Sequence, residues 1–178
     1  MIRKSSLALI LGCSLIFTTL SSKMNVLADP YMGAGMPSCS YSVKFGGNYN
    51  SSWTSYLNNS IGAWNSTSTP VIISQSSSAS NILYAGSYSD SWLGNYTLKW
   101  TNGVVSGFTI KVNSRTISNA ATNFANFAQS TTVHEFGHSF SLDDDPTTNR
   151  STIMSYSRNR NTMIRPQQFD IENVNAYY

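Results

Sequence analysis

The sequence predicts a single α+β domain in which a mixed, twisted sheet packs on helices. Short segments in which apolar and polar residues alternate, as in half-buried strands, lie between residues 41 and 112. Longer segments with apolar residues every three to four positions lie near residues 51–66 and in the last third of the chain. No internal repeat and no linker between domains is recognisable.

The first 28 residues are typical of a secretory signal peptide, because a basic start precedes an apolar run from Leu7 to Leu20 that is too short to span a bilayer comfortably. Small residues predict cleavage after Ala28, which leaves residues 29–178 as one extracellular domain. A lipoprotein signal that ends at Cys13 is the alternative, but the apolar run continues beyond that cysteine.

Charge excludes several classes of partner. Three of the 11 basic residues, Arg3, Lys4 and Lys23, lie in the predicted signal peptide, so the remaining eight balance the 8 acidic residues. We therefore expect neither nucleic-acid binding nor a stable association with membranes. We also expect a monomer. Cys39 is the one cysteine after residue 28, so no intrachain disulfide is expected in the mature domain.

The first elements are a strand and a helix. Tyr41–Phe45 alternates apolar and polar side chains and ends at a Gly-Gly pair. An N-terminal helix is predicted over residues 51–66, where Trp53, Leu57 and Trp64 recur on one face. A turn at Asn102-Gly103 predicts a hairpin. Further strands are predicted near residues 71–73, 82–84, 96–100 and 108–112.

Two more helices complete the predicted domain. A long helix is expected from about Asn119 to Leu142, followed by an acidic turn in which Pro146 prevents continuation. A last helix is predicted from Pro166 to Tyr178, because proline suits the first turn of a helix.

The long helix contains the spacing His134, Glu135 and His138, and these histidines are the only 2 in the chain. Residues i and i+4 lie on one face of a helix, so both imidazoles can bind one Zn²⁺. Glu135 follows the first histidine and is placed to act as general base toward a metal-bound water. The sequence therefore predicts one catalytic zinc ion.

A third protein ligand must be a carboxylate or a tyrosine, because no histidine remains. Asp144, six residues after His138, can reach the metal if the chain turns back after the helix. The alternatives are Asp143, Asp145, Asp170 and Glu172. Calcium sites are not recognisable, although Asp90 and the run Asp143 to Asp145 offer oxygen ligands.

The motif His134-Glu135-x-x-His138-x-x-Ser141-x-x-Asp144 resembles the zinc signature of metzincin metalloproteases, in the snapalysin-like variant with aspartate as the third ligand. Ser141 stands where the family usually has glycine, at a sharp turn that requires positive φ.

A second part of the resemblance follows this motif. Residues 152–156, Thr-Ile-Met-Ser-Tyr, resemble the Met-turn of these enzymes, and the last helix is similar to that of matrixin-like domains. The resemblance covers residues 131–178. It implies a sheet of about five strands, an active-site helix, a C-terminal helix after the Met-turn, and a cleft for an extended polypeptide substrate beside an edge strand near residues 97–100.

The resemblance also implies roles for individual residues. Met154 would lie beneath the metal, and Tyr156 would bind the metal or donate a hydrogen bond to the reaction intermediate. Arg158, Arg160 and Arg165 follow the Met-turn, where the related enzymes build a substrate pocket. Our hypothesis from these arginines is that the pocket favours polar or acidic side chains, and the alternative is a solvated basic loop. A latency role for the Cys39 thiol is less favoured than a half-buried structural cysteine.

Together these features predict a secreted zinc metalloendopeptidase (EC 3.4.24-type) that hydrolyses extracellular proteins, with Glu135 as general base. The alternative is a secreted zinc-binding adhesive or binding domain without protease activity. A closed structural zinc site normally has four protein ligands, often cysteines, and this chain has no suitable cysteine pair.

Overall fold

The computed structural model describes residues 31–146 and 149–178. The predicted signal peptide and the alternative lipid site at Cys13 lie outside these ranges. Within them, no helix is both long and apolar enough to cross a membrane.

The described chain is an α+β fold built on one mixed sheet, as the sequence predicts. Its strands are arranged in the order β2-β1-β3-β5-β4. The neighbouring strands β2, β1, β3 and β5 run parallel, whereas β4 is antiparallel to β5 and forms one edge. The strands are β1 (Ser40–Phe45), β2 (Ile72–Gln75), β3 (Asn81–Gly86), β4 (Gly94–Thr101) and β5 (Val104–Asn113).

The β4–β5 hairpin turns at Asn102 and Gly103, as predicted. Both residues have positive φ, 52° and 77°, which is the backbone geometry of a two-residue hairpin turn that matches strand twist. The edge strand predicted near residues 97–100 therefore lies within β4.

In the part of the chain that the structure describes, four helices accompany the sheet, and an asparagine caps the N-terminus of three of them. Asn50, Asn113 and Asn123 each accept a hydrogen bond from a backbone N–H in the first turn, which satisfies a group that has no partner inside the helix. The helices are α1 (Ser51–Asn65), α2 (Ser114–Ala120), α3 (Phe124–Ser139) and α4 (Gln168–Tyr177).

The long helix predicted from Asn119 to Leu142 is wrong at both ends. Ala121 is extended (ψ 136°), and Asn123 caps a new helix, so α2 and α3 are separate. At the other end, α3 stops at Ser139, and Ser141 has a φ of 67°. The last helix starts at Gln168 and not at Pro166.

The core lies between the sheet and the helices, with α3 buried from Phe127 to Ser139. The Trp64 indole Nε1 donates a hydrogen bond to the Val133 carbonyl oxygen at 2.9 Å, which ties α1 to α3. Tyr41 of β1 stacks on Phe140, with ring centroids 5.7 Å apart. These contacts fix the direction of α3 relative to the sheet.

The segment before β1 crosses the C-terminal end of α3. Met32 N–H donates to the Ser141 carbonyl oxygen, and Met36 N–H donates to that of Ser139, each at 2.9 Å. The Tyr31 hydroxyl donates to the Asn173 carbonyl oxygen of α4 at 3.1 Å. The turn after α3 is therefore held between the N-terminal segment and the last helix.

Candidate metal centre

Two imidazoles of α3 are oriented by backbone carbonyl groups. His134 Nδ1 lies 3.0 Å from the Ile153 oxygen, and His138 Nδ1 lies 2.8 Å from the Leu142 oxygen. A carbonyl oxygen accepts hydrogen bonds, so each Nδ1 carries the proton and each Nε2 presents a lone pair. This arrangement is common in metal-binding histidines.

The Asp144 carboxylate faces both lone pairs. Its Oδ1 lies 3.1 Å from His134 Nε2 and 3.8 Å from His138 Nε2. Burial first, and then Arg158, lower the pKa of His134 to about 3, so at neutral pH this ring is uncharged and the contact is not an ion pair. Oδ1 is buried and has no hydrogen-bond partner among the described residues. A cation between these atoms would remove the repulsion among them.

The three residues can hold a metal ion. Their ligand atoms, one from each of His134, His138 and Asp144, all lie within 4.8 Å of one another. Burial acts to raise the pKa of the Asp144 carboxyl, but hydrogen bonding, including the bond donated by the Tyr156 hydroxyl, outweighs it and holds the pKa below its ordinary value. The carboxylate is therefore ionised at neutral pH. Two uncharged imidazoles and one carboxylate form a donor set that fits a divalent ion.

Ser141 gives the chain the turn that brings Asp144 back. It adopts the left-handed conformation without being glycine, and Leu142 N–H donates to the Gly137 carbonyl oxygen at 3.1 Å. The N-terminal segment packs against this turn, since a Cβ at Gly35 would collide with Ser141. Tertiary packing thus stabilises a backbone conformation that serine rarely adopts alone.

The other acidic candidates do not join this group. Asp143 Oδ1 accepts from the Asp144 N–H at 2.8 Å, and Asp145 pairs through its backbone with Ser155. Glu172 accepts from Gln168 on an exposed part of α4. Within the described ranges, no other three carboxylate, histidine or cysteine side chains form a metal-binding group, so calcium binding gains no support.

Asp170 has a role that sequence reasoning missed, although it was considered as a metal ligand. Its buried carboxylate accepts from the Thr152 hydroxyl and from Ile153 N–H, the latter at 2.9 Å. The carbonyl of Ile153 holds His134. The capping box formed with Gln167 is the local signal that could have identified Asp170 as structural.

Glu135 lies beside the metal-binding residues in the same cleft. Burial raises the pKa of its carboxyl group to about 8, with a smaller contribution from Asp144. The side chain packs against the start of β4, where a Cβ at Gly94 would lie 2.8 Å from Glu135 Cγ and closer to Oε1. A carboxyl group that titrates near neutral pH can both accept and donate a proton.

Met154 and Tyr156 differ in their exposure to solvent. Met154 is fully buried against α3, where a Cβ at Gly137 would lie 2.5 Å from its sulfur. Tyr156 is 52% exposed, and its hydroxyl donates to Asp144 Oδ2 at 2.8 Å. Their predicted roles toward metal and substrate stay predictions.

The three arginines are not equivalent. Arg158 and Arg160 line the cleft above the metal-binding residues, which has a volume of about 460 Å³. Arg165 lies instead beside separate hollows bordered by Ile164 and Gln129. Cys39 is also away from this cleft, and its half-buried thiol donates to the Pro70 carbonyl oxygen at 3.4 Å. The structure thus brings together two of the three predicted pocket arginines.

Comparison with known proteins gives similarity to solved structures. No family model matches the chain, and no curated protein matches it. A solved structure described as the GM1 bound form of the ECX AB5 holotoxin is similar, with a TM-score of 0.57 and 14% sequence identity. The similarity covers 84% of this chain and 86% of that chain. At this identity it concerns the fold.

This comparison corrects the predicted function. A secreted endopeptidase that hydrolyses extracellular proteins is the wrong prediction, and so is the protease class attached to it, because the similar structure is a toxin assembly described in a ligand-bound form. The comparison agrees better with the alternative prediction, a binding domain. The motif of α3 identifies residues that can hold a metal. The comparison adds that the fold is similar to that of a chain in a toxin assembly.

Proposed function

We propose that this chain is a zinc-binding domain whose metal centre is the point at which a ligand attaches. The observation that carries this proposal is the convergence of His134, His138 and Asp144 at an open cleft. Imidazole nitrogens favour zinc over calcium, and three protein ligands leave a coordination position open. Bound zinc would supply a Lewis acid that accepts an oxygen or nitrogen atom from the ligand.

The chain's own residues would shape this binding site. The Ile153 and Leu142 carbonyl groups hold the imidazoles, and the Tyr156 hydroxyl holds one oxygen of Asp144. The cleft is open on the side where Tyr156 is exposed, which supports access for a ligand. The description of the similar holotoxin as GM1 bound also supports a binding role for this fold.

Metal content and ligand access test the proposal together. After dialysis against zinc and then against metal-free buffer, we expect about one zinc per chain by mass spectrometry, as the three-ligand group predicts. Replacement of zinc by Co²⁺ should give a visible spectrum that changes when acetohydroxamate is added, because the open position accepts it. A protein that retains no metal, or a spectrum that hydroxamate leaves unchanged, would contradict the proposal.

A second candidate function is metal-dependent hydrolysis, which one specific observation favours. The Glu135 carboxyl group lies in the cleft beside His134 and His138, where it can take a proton from water and return it to a leaving group. That the chain is a zinc-dependent enzyme stays a prediction, separate from the endopeptidase function that the comparison corrects.

The variant Glu135→Gln separates the two candidates. If the centre is hydrolytic, the variant should keep its zinc and lose about 10²- to 10⁴-fold in the rate of cleavage of a panel of fluorogenic esters and amides. Glu172→Gln, on the exposed part of α4, is the matched control and should behave as wild type. If wild type cleaves nothing in the panel, hydrolysis is refuted and the binding role remains.

Gly94→Ala tests the packing of Glu135 against β4. The added methyl group would overlap the Glu135 side chain, so we expect a loss of about 1–3 kcal/mol in the free energy of unfolding. Gly62→Ala is the control, because a Cβ there meets nothing within 4 Å and lies in α1. It should stabilise by about 0.5–1 kcal/mol. Urea denaturation measures both, and equal effects would refute the close contact.

A further inference from the structure

We propose that Arg160 forms a carboxylate-binding subsite in the metal cleft, so that the natural ligand carries a carboxylate beside the group that reaches the metal. The inference rests on the proposed zinc centre and names the chemical class of its ligand. It follows from a comparison of the arginine side chains that line the cleft: which of their N–H donors have an acceptor in the protein, and which do not.

Arg158 is already engaged by the protein. It is 7% exposed, its Nη1 donates to the Ser155 carbonyl oxygen at 2.8 Å, and its Nε donates to the Ser130 hydroxyl at 3.4 Å. Arg165 does not line the metal cleft. Of the two arginines that line the cleft, Arg160 is the one with a buried donor that has no acceptor among the described residues.

Arg160 is held in place but is incompletely bonded. Its Nη1 donates to the Tyr156 carbonyl oxygen at 3.1 Å, and its guanidinium lies 5.9 Å from the centre of the Phe127 ring. Its Nε is buried and has no hydrogen-bond acceptor within the described residues. A buried charged donor without a partner is costly, and a carboxylate can satisfy a guanidinium with two parallel hydrogen bonds.

The protein's own carboxylates do not fill this role. Neither Glu135 nor Asp144, the two acidic residues that line the cleft, forms an ion pair with Arg160 in the described part of the chain. Asp144 faces the histidines through Oδ1 and accepts from Tyr156 through Oδ2. With a divalent ion bound, the positive charge of the metal and the two arginines is larger than the negative charge of Glu135 and Asp144. The loaded cleft is thus positive and attracts an anion.

A pair of matched probes tests the subsite. The monohydroxamates of succinic, glutaric and adipic acid each carry a metal-binding group and a terminal carboxylate, and their terminal amides differ only in charge. For the best chain length, we expect the carboxylate to bind zinc-loaded wild type at least about tenfold more tightly than its amide by calorimetry. Arg160→Gln should reduce this preference to less than about twofold, whereas Arg160→Lys should keep part of it.

The controls separate failure of the subsite from failure of the metal centre. Arg165→Gln removes a positive charge outside the cleft and should keep the full preference. If the amides bind wild type but no carboxylate binds more tightly, the subsite is refuted while the metal centre stands. If no hydroxamate binds zinc-loaded wild type, the proposed attachment of ligands at the metal centre is refuted. A tenfold preference that survives in Arg160→Gln also overturns the assignment.

A competition arm identifies the source of the carboxylate. N-acetylglutamate amide represents an acidic side chain, and glucuronate represents an acidic sugar. Displacement of the tight monohydroxamate by one of them, in wild type and not in Arg160→Gln, supports the subsite and names the source. Displacement by neither overturns the assignment to a natural carboxylate ligand.

Discussion

Asp144→Ala is expected to weaken zinc binding by more than about 100-fold, because loss of residues that merely orient metal ligands already costs about 10- to 100-fold. The variant would leave His134 and His138 as the metal-binding residues of the group. Competition titration with a chromophoric chelator measures the affinity directly. Stability gives a second measurement, since zinc at about 100 times the wild-type dissociation constant should stabilise wild type by about 2.7 kcal/mol and the variant by less than about 0.4 kcal/mol.

Asp145→Asn is the matched control for this change. Asp145 belongs to the same acidic turn, but its described contact is a backbone pairing with Ser155, and that pairing survives the substitution. We expect its zinc affinity to stay within about twofold of wild type. If Asp144→Ala kept full affinity while Asp145→Asn lost it, the third ligand would be Asp145.

Asp170→Ala is expected to lower the free energy of unfolding by about 3–5 kcal/mol, the size typical of breaking a buried hydrogen-bond network. The fully buried carboxylate accepts from Gln167 N–H at 2.6 Å, from Ile153 N–H at 2.9 Å and from the Thr152 hydroxyl. Alanine would leave these three donors without an acceptor, and two of them, on Thr152 and Ile153, are buried. Urea denaturation of the zinc-free protein measures the loss.

The neighbouring acid on α4 supplies the comparison for Asp170. Glu172 accepts one exposed hydrogen bond, from the Gln168 side chain, so Glu172→Ala should change the free energy of unfolding by no more than about 0.5 kcal/mol. Similar effects from both variants would show that burial of Asp170 does not determine its contribution.

Features that depend on neighbouring residues were predictable from the sequence. The Asn102-Gly103 turn requires positive φ at both positions, which these residue types adopt readily, and the hairpin forms there. The spacing of His134 and His138 fixes their common face of a helix. The break between α2 and α3 was not predicted from the sequence, because apolar residues continue at helical spacing past Asn123. Asn123 caps the start of α3 in the structure, so a new helix begins there.

Features that depend on distant residues were not predictable in the same way. Arg158, Arg160 and Arg165 are close in sequence, yet the fold directs only the first two into the cleft. Asp170 acts on His134 through Ile153, a relation that no local pattern reveals. The function was predicted wrongly because a metal-binding motif specifies the atoms that hold the ion and not the molecule that meets it.

The hydrogen bonds from α4 to the loop that holds His134 have a consequence for biosynthesis. A nascent chain exposes both histidines well before it exposes Asp170, so Ile153 cannot hold the His134 ring until α4 has been made. The metal centre would therefore reach its final geometry only after synthesis of the whole chain. Zinc would then bind a completed domain and not a nascent chain.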